Sequence, residues 1–438
     1  MMQAGEVNDA KSEVRPVRRR WWKRWRVLLV LAHVPILLVV LAHVVLSWRI
    51  DAAVERIRAR GEPVTREELI AAQMPPSREA ARLRSENANV FDLGAQAVPR
   101  SLEYHEEAML TQDRGIDALN AATNERNGWL IMGYTDEYSM TVYDLVRFNN
   151  AMHNWGREVA VAVERGNADR AVRALREMWR ISHPQEGKPF TTADHLVCQS
   201  IRTIASRHAR WIIEHLELND TQLNEMLELF RPDLYESDFH RAIMGNRVIA
   251  LERYRTGIRY GGVFTRLEGF GYQASGLQAM DWLTYVNSME RLVEITGQPP
   301  EDRWGASRAL TMKREGISSY YTRICEKLFQ TFPRALLVET RTIVELRMTR
   351  AAIAVERFRR AEGRLPDSLV EVAPRFIDSV PMDPFGNRAI GYRKTEKGYV
   401  VYSTGEDGVD HGGTPVPTPN QYDAPGYDIV FTVERPSE

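Results

Sequence analysis

Cysteine is scarce in this chain: Cys198 and Cys325 are the only two in 438 residues. Two isolated thiols exclude a disulfide scaffold and any CxxC metal or redox motif. Net charge is nearly absent as well, with 58 Lys and Arg against 59 Asp and Glu. A chain that is neutral on average is not a nucleic-acid binder along its length. The usual marks of catalysis are also missing. No GxSxG, no GxxxxGK followed by Ser or Thr, no HExxH and no GxGxxG between a strand and a helix occurs, and no cysteine has an identifiable histidine partner. Paired carboxylates exist, such as Glu106 and Glu107, but adjacency in sequence does not make an acid–base pair. The residues therefore name no reaction.

Charge is present, but it is segregated. Residues 1–26 hold eight basic and three acidic side chains, a net of +5, and the remainder carries −6. Directly after this basic tail, Val27 to Trp48 form a 22-residue run without Asp, Glu, Lys or Arg. At about 1.5 Å per residue such a helix crosses a hydrocarbon core of about 30 Å. Trp21, Trp22 and Trp25 flank it on one side and Trp48 on the other, where amphipathic rings favour the two interfaces. The run ends in Leu46-Ser47-Trp48-Arg49 rather than in a small-residue cleavage site, which favours an uncleaved anchor over a signal peptide. The cationic tail sets the expected orientation, N-terminus cytoplasmic and body periplasmic or otherwise extracytoplasmic, in the cell inner membrane. Within the span, His33 and His43 lie roughly 280° apart around a helix, so they do not share a face.

From residue 49 to residue 334 the pattern is one amphipathic helix after another, expected to build a bundle or a solenoid-like domain. Ile50, Val54 and Ile57 mark a helix closed at Gly61, and Thr65-Arg66-Glu67-Glu68 reads as a capping box ahead of Pro75-Pro76. Trp155 to Val163, then Arg165-Gly166-Asn167-Ala168-Asp169, then Ala171, Leu175, Met178 and Trp179 predict a helix hairpin. Gly ends its first arm and Asn167 or Asp169 caps its second. A helix from Ala193 to Leu216 carries His195, His208 and His215; these read as polar residues facing solvent or neighbouring helices, since HExxH spacing is absent. Cys198 and Cys325 sit at plausible buried helical positions, and two buried thiols are favoured over one disulfide. Gly257, Gly261, Gly262, Gly269 and Gly271 alternate with Tyr260, Phe264, Phe270 and Tyr272. That loop is the place to look for a ligand groove.

Residues 335–438 change character. Leu337, Val344, Met348, Ala351, Val355 and Phe358 predict a long amphipathic helix ended by Gly363. A short helix is expected from Arg364-Leu365-Pro366-Asp367-Ser368-Leu369 to Pro374, then a tight turn at Asp383-Pro384-Phe385-Gly386-Asn387. Strands follow at 390–394, 399–403 and 429–433, the first two joined by Thr395-Glu396-Lys397-Gly398. One helix against a small antiparallel sheet makes a compact α+β unit.

Three motifs in this segment carry a resemblance. They are Ala354-Val355-Glu356-Arg357-Phe358-Arg359-Arg360-Ala361-Glu362-Gly363-Arg364-Leu365-Pro366, then Asp383-Pro384-Phe385-Gly386-Asn387, then Tyr402-Ser403-Thr404-Gly405-Glu406-Asp407-Gly408 with Gly412-Gly413. Together they resemble the globular head of the major pseudopilins of type II secretion, and a related module on planctomycete-like membrane proteins. The resemblance implies Ca²⁺ in the loop after the second strand, with Asp407 and Asp428 as ligands and Asp410 and the Ser403 or Thr404 carbonyl as additions. Hard oxygens on a glycine-rich loop suit that cation. The chain departs from the family in having no Gly-Phe-Thr-Leu-Ile-Glu processing motif and in placing about 285 residues between anchor and head, which argues against polymerisation into a pseudopilus.

The expected protein is thus mainly α: a basic cytoplasmic tail at 1–26, a transmembrane helix at 27–48, an extracytoplasmic helical domain at 49–334 and a pseudopilin-like α+β module at 335–438. The expected work is interaction or scaffolding with other envelope proteins beside a secretion or pilus-like machinery. An extracytoplasmic hydrolase-like enzyme with its site near residues 257–272 is the alternative.

Overall fold

The computed structural model describes residues 18–71, 152, 155–182, 191–256, 277–308, 331–415 and 427–435. The Gly/aromatic loop at 257–272, Cys325, Glu106 and Glu107 lie outside them, as do Pro75-Pro76 and most of the proline-punctuated stretch from Thr414 to Pro425. The described residues are mainly helical, with two small antiparallel sheets near the C-terminal end.

The first helix, α1 (Arg18–Ala59), runs without a break from the basic tail through the apolar run and into the body. Among the described residues one helix is long and apolar enough to cross a membrane, and it is this one. Its character switches within two residues. Val34, Ile36, Leu37, Leu38, Val40, Leu41, Val44 and Val45 are exposed and Trp48 is 70% exposed, whereas Ile50 is 2% exposed and Ala53, Val54 and Ile57 are buried behind it. The buried set falls at spacings of three and four, one face of a helix, and it packs on α7 (Asp238–Thr256) and α8 (Leu277–Thr296). Gly61 ends α1 with φ +72°, and the expected capping box opens α2 (Arg66–Ala71): the Glu68 N–H donates to Thr65 Oγ1 at 3.1 Å while the Glu68 carboxylate accepts the Thr65 and Val64 N–H groups.

The helix hairpin forms as its sequence requires. α3 (155–164) ends at Gly166, whose φ of +66° is open to glycine at little cost. There the Asn167 N–H donates to Ala162 O and the Gly166 N–H to Val163 O, a Schellman closure. Asn167 then caps α4 (Ala168–Ser182), its Oδ1 accepting the Arg170 N–H at 3.0 Å. α5 (Thr192–His215), α6 (Asp220–Leu229), α9 (Pro300–Arg308) and α10 (Thr331–Glu362) complete the helical layer. α6 carries its own capping box between Asn219 and Gln222.

α10 is the keel. Ile343, Val344, Leu346, Met348, Ala351, Ala352, Ile353, Ala354 and Val355 are all buried, and so are Thr342, Arg347, Thr349 and Arg350 between them, so the helix is covered nearly all round. α5, α6 and α9 cover one side. The other takes a three-stranded sheet of β3 (Gly391–Thr395), β4 (Gly398–Ser403) and β5 (Ile429–Glu434), in the order β3-β4-β5. Thr395 pairs with Gly398 across the hairpin, and Tyr399 and Val401 on β4 send their side chains into the core, Tyr399 Oη donating to Ala352 O at 3.2 Å. At Gly398 a Cβ would sit 2.0 Å from Val433 O, so the backbones of β4 and β5 meet there as only glycine allows. A second ribbon, β1 (Met382–Asp383) with β2 (Arg388–Ala389), encloses the Pro384–Asn387 turn.

Two differences from the sequence expectation have physical causes. The boundary at 334/335 falls inside α10, and one hydrophobic core runs from Trp155 through Ile212 and Val344 to Phe431 and Val433, because the keel is shared by both sides. The short helix after Arg364 is a single 3-10 turn, Leu369–Glu371, ending three residues before Pro374, which cannot donate a helical hydrogen bond.

Candidate functional site

The expected acidic loop is organised by two buried carboxylates, one of which was not expected. Asp383, in the tight turn, accepts the Phe385 N–H at 3.0 Å, the Ser403 hydroxyl at 2.8 Å, and the Thr404 N–H at 2.9 Å and hydroxyl at 3.0 Å. It therefore stitches Asp383-Pro384-Phe385-Gly386-Asn387 to Tyr402-Ser403-Thr404-Gly405, two motifs twenty residues apart. Asp428 does the same for the next loop. Its carboxylate accepts main-chain N–H groups of Gly413 at 2.7 Å, His411 at 3.2 Å and Thr414 at 3.3 Å, while its own N–H donates to Thr414 O. In both, the protein's own N–H and O–H donors fill several of the carboxylate's acceptor positions.

Asp407 and Asp410 sit on separate exposed turns. Asp407 accepts the Val409 N–H at 2.9 Å, and Asp410 accepts the Gly412 N–H at 2.8 Å with Arg388 Nη1 at 3.6 Å. The preceding Glu406 is paired with Arg341 of α10, which fixes the loop to the keel. The structure thus places Asp428 in the wall of the loop and Asp407 and Asp410 at its surface. Among the described residues no group of three or more His, Cys, Asp or Glu side chains is gathered as a metal site would need.

A second polar region forms around His195, which faces a neighbouring helix, one of the two surroundings its sequence position allows. His195, Gln199, Arg202 and Ser206 recur on α5 at spacings of four, three and four, the pattern of a solvent face, yet all four are buried. His195, Gln199 and Ser206 meet polar residues of α10 across the core. His195 Nε2 lies 2.7 Å from Glu339 Oε2, which also accepts from Gln199 Nε2, and Ser206 Oγ lies 2.6 Å from Thr349 Oγ1. Arg202 donates to Asp238 at 2.7 Å and to Ser182 O at 3.1 Å. The seam is under-satisfied: among the described residues His195 Nδ1 and Gln199 Oε1 have no hydrogen-bond partner, and Glu339 Oε1 has only the Arg303 guanidinium, 3.8 Å away. Further along, burial pushes the Glu345 carboxyl up, against the pull of Arg207, a Thr203 hydrogen bond, and Arg210 and Arg341. Burial likewise raises Glu236, which is held by Arg347 at 2.7 Å. His208 stacks near Trp211 and His215 hydrogen-bonds Trp211 O from an exposed position, so neither joins this seam. Cys198 is a buried thiol, as expected.

The third arrangement lies at the root of α1. Arg60 donates to Glu62 at 2.8 Å and to Glu290 at 2.5 Å; Arg247, wholly buried, pairs with Glu62 at 2.6 Å and Glu290 at 2.8 Å. Burial pushes Glu62 up, but the guanidinium groups of Arg60 and Arg247 outweigh it and hold the carboxyl below its usual range. Four alternating charges thus close a ring that joins the end of α1 to α7 and α8.

Comparison of the chain with protein-family models, with curated proteins and with solved structures finds no match.

Proposed function

We propose that this is a single-pass, membrane-anchored protein whose body works by binding other envelope proteins rather than by catalysis. The observation that carries the reading is the switch on α1, from a helix apolar and exposed over Val34–Trp48 to one buried from Ile50 onward. Nine large apolar side chains facing outward on one helix are a surface made for lipid, not water. In this reading the tail at 1–26 stays in the cytoplasm of the inner membrane and the body is periplasmic. The pseudopilin resemblance of residues 335–438 makes type II secretion or a pilus-like machinery the expected neighbourhood.

The anchor is tested by alkaline carbonate extraction of membranes. The protein should stay in the pellet, and its release into the supernatant would end the reading. Protease added to spheroplasts should degrade the body while sparing a tag on the N-terminus. Partners are sought by crosslinking in intact cells before solubilisation. Calcium at Asp407, Asp410 and Asp428 is part of the proposal, supported by the hard oxygens of a loop whose Gly405, Gly408, Gly412 and Gly413 all adopt positive φ. Added Ca²⁺ should raise the melting midpoint of the solubilised full chain; an EDTA-insensitive midpoint, matched by Asp407→Ala, removes the metal from it.

A further inference from the structure

The way α1 enters the body fixes more than an anchor. Val286 and Leu251 share an apolar cluster with Ala53, Val54 and Ile57, and four residues further along α8, Glu290 meets Arg60. α8 therefore runs parallel to α1. Arg247 meets Glu290 and Tyr254 meets the Trp282 ring at 5.8 Å, so α7 runs antiparallel to α8. The start of α8 and the end of α7 consequently lie on the anchor's side of the body. Their level can be set by helical rise: Leu277 precedes Glu290 by about 20 Å of helix, and Trp48 precedes Arg60 by about 18 Å. The first turn of α8 is thus level with Trp48, the last large exposed apolar residue of the lipid-facing run.

No spacer separates the two parts. α1 is helical from Arg18 to Ala59, Ile50 is already in the core two residues after Trp48, and the ring of Arg60, Glu62, Arg247 and Glu290 pins the far end of the docked segment. We propose that α1 is a rigid strut and that the body rests directly on the phospholipid headgroups of the bilayer that α1 spans, through the end formed by the last turn of α7 and the first turn of α8. The inference rests on the membrane-anchor reading above. The chemistry at this end suits a headgroup layer: Tyr254 is half-buried, with its ring against Trp282, and Arg255 beside it is an exposed cation whose Nη1 donates to Val64 O at 3.4 Å and whose charge remains able to meet phosphate. The turn that carries Val370 is at the opposite reach of the keel, where Phe376 beyond it meets Phe358 near the end of α10. α10 starts at Thr331, with Phe332 in the same apolar cluster as Ile50, and ends about 45 Å on at Glu362, next to the turn that exposes Val370.

The test is site-specific photo-crosslinking of the full chain in its own membranes, with benzoylphenylalanine encoded singly at Val40, Arg255, Gln278 and Val370 and phospholipid adducts read by mass spectrometry. Val40 should label lipid, Arg255 and Gln278 should do so at least tenfold more than Val370, and Glu62→Gln with Glu290→Gln should cut the Gln278 adduct at least threefold while leaving Val40 unchanged. Absence of lipid at Val40 would overturn the anchor itself. Lipid at Val40 without lipid at Arg255 and Gln278, or equal labelling at Gln278 and Val370, would overturn the strut while leaving the anchor standing. An unchanged Gln278 adduct in the double variant would overturn the role of the ionic ring.

Discussion

Buried acids are handled in two ways in this molecule. In the C-terminal unit, Asp383 and Asp428 are met almost entirely by main-chain N–H groups and hydroxyls of neighbouring loops. In the helical body, Glu339 and Glu345 are met by side chains of another helix, and some of their oxygens go unmatched. The difference concerns what remains when the acid is removed. Main-chain donors cannot be mutated away, so a loop built around a carboxylate depends on it. A side-chain seam can lose both partners together, and replacing a buried polar pair by apolar residues of similar size is often neutral or stabilising.

The largest effect should come from Asp383→Ala, which strands four buried or part-buried donors. A loss of about 3 kcal/mol or more is expected in chemical unfolding of the solubilised protein. A loss under about 1 kcal/mol would mean that water replaces the carboxylate and that the loops need no clasp. Asp428→Ala strands three main-chain N–H groups and should cost about 2 kcal/mol, with hydrogen exchange at His411, Gly413 and Thr414 accelerated. His195→Ala should cost about 2 kcal/mol by leaving Glu339 enclosed with fewer donors. The triple change His195→Leu, Gln199→Leu, Glu339→Leu should recover at least half of that loss. If the triple variant is worse than the single, the seam is as indispensable as the loops and the contrast fails.

The smallest effect is one of pH. Burial raises the Glu345 carboxyl, so the folded state keeps a proton that the unfolded chain releases. Its stability contribution is intact below the ordinary carboxyl range and is lost as pH rises from there towards the raised folded value. Glu345→Gln does not titrate, so its melting midpoint should overtake that of the wild type with rising pH, and parallel melting curves across pH 4–8 would refute the raised value.

Legibility followed the same divide. Asn167, Gly166, the Thr65 and Glu68 pair, the 395–398 turn and the Asp383–Asn387 turn were readable because each works within a few residues, where sequence spacing is also spatial spacing. The α5 stripe is not legible in the sequence: His195, Gln199, Arg202 and Ser206 have the period of a solvent face, and nothing local decides between water and a neighbouring helix, the two surroundings expected for His195. Asp383 was seen as a turn residue, but its partners Ser403 and Thr404 arrive from the next ribbon. Asp428 is expected from the sequence as a loop ligand, but that the N–H groups of His411, Gly413 and Thr414 converge on its carboxylate depends on a loop seventeen to fourteen residues upstream.

The sequence by itself determined that one apolar helix follows a basic tail, that the chain beyond is helical, and that a hairpin and turns close it, since helical period, capping and charge-free length are properties of short stretches. The tertiary structure alone decided that α10 is shared by helices and sheet, that a polar stripe is interior, and that α1 enters the body without a spacer. Those depend on which surfaces meet across long loops, and only the packed core, which leaves no room for a second arrangement, selects among them.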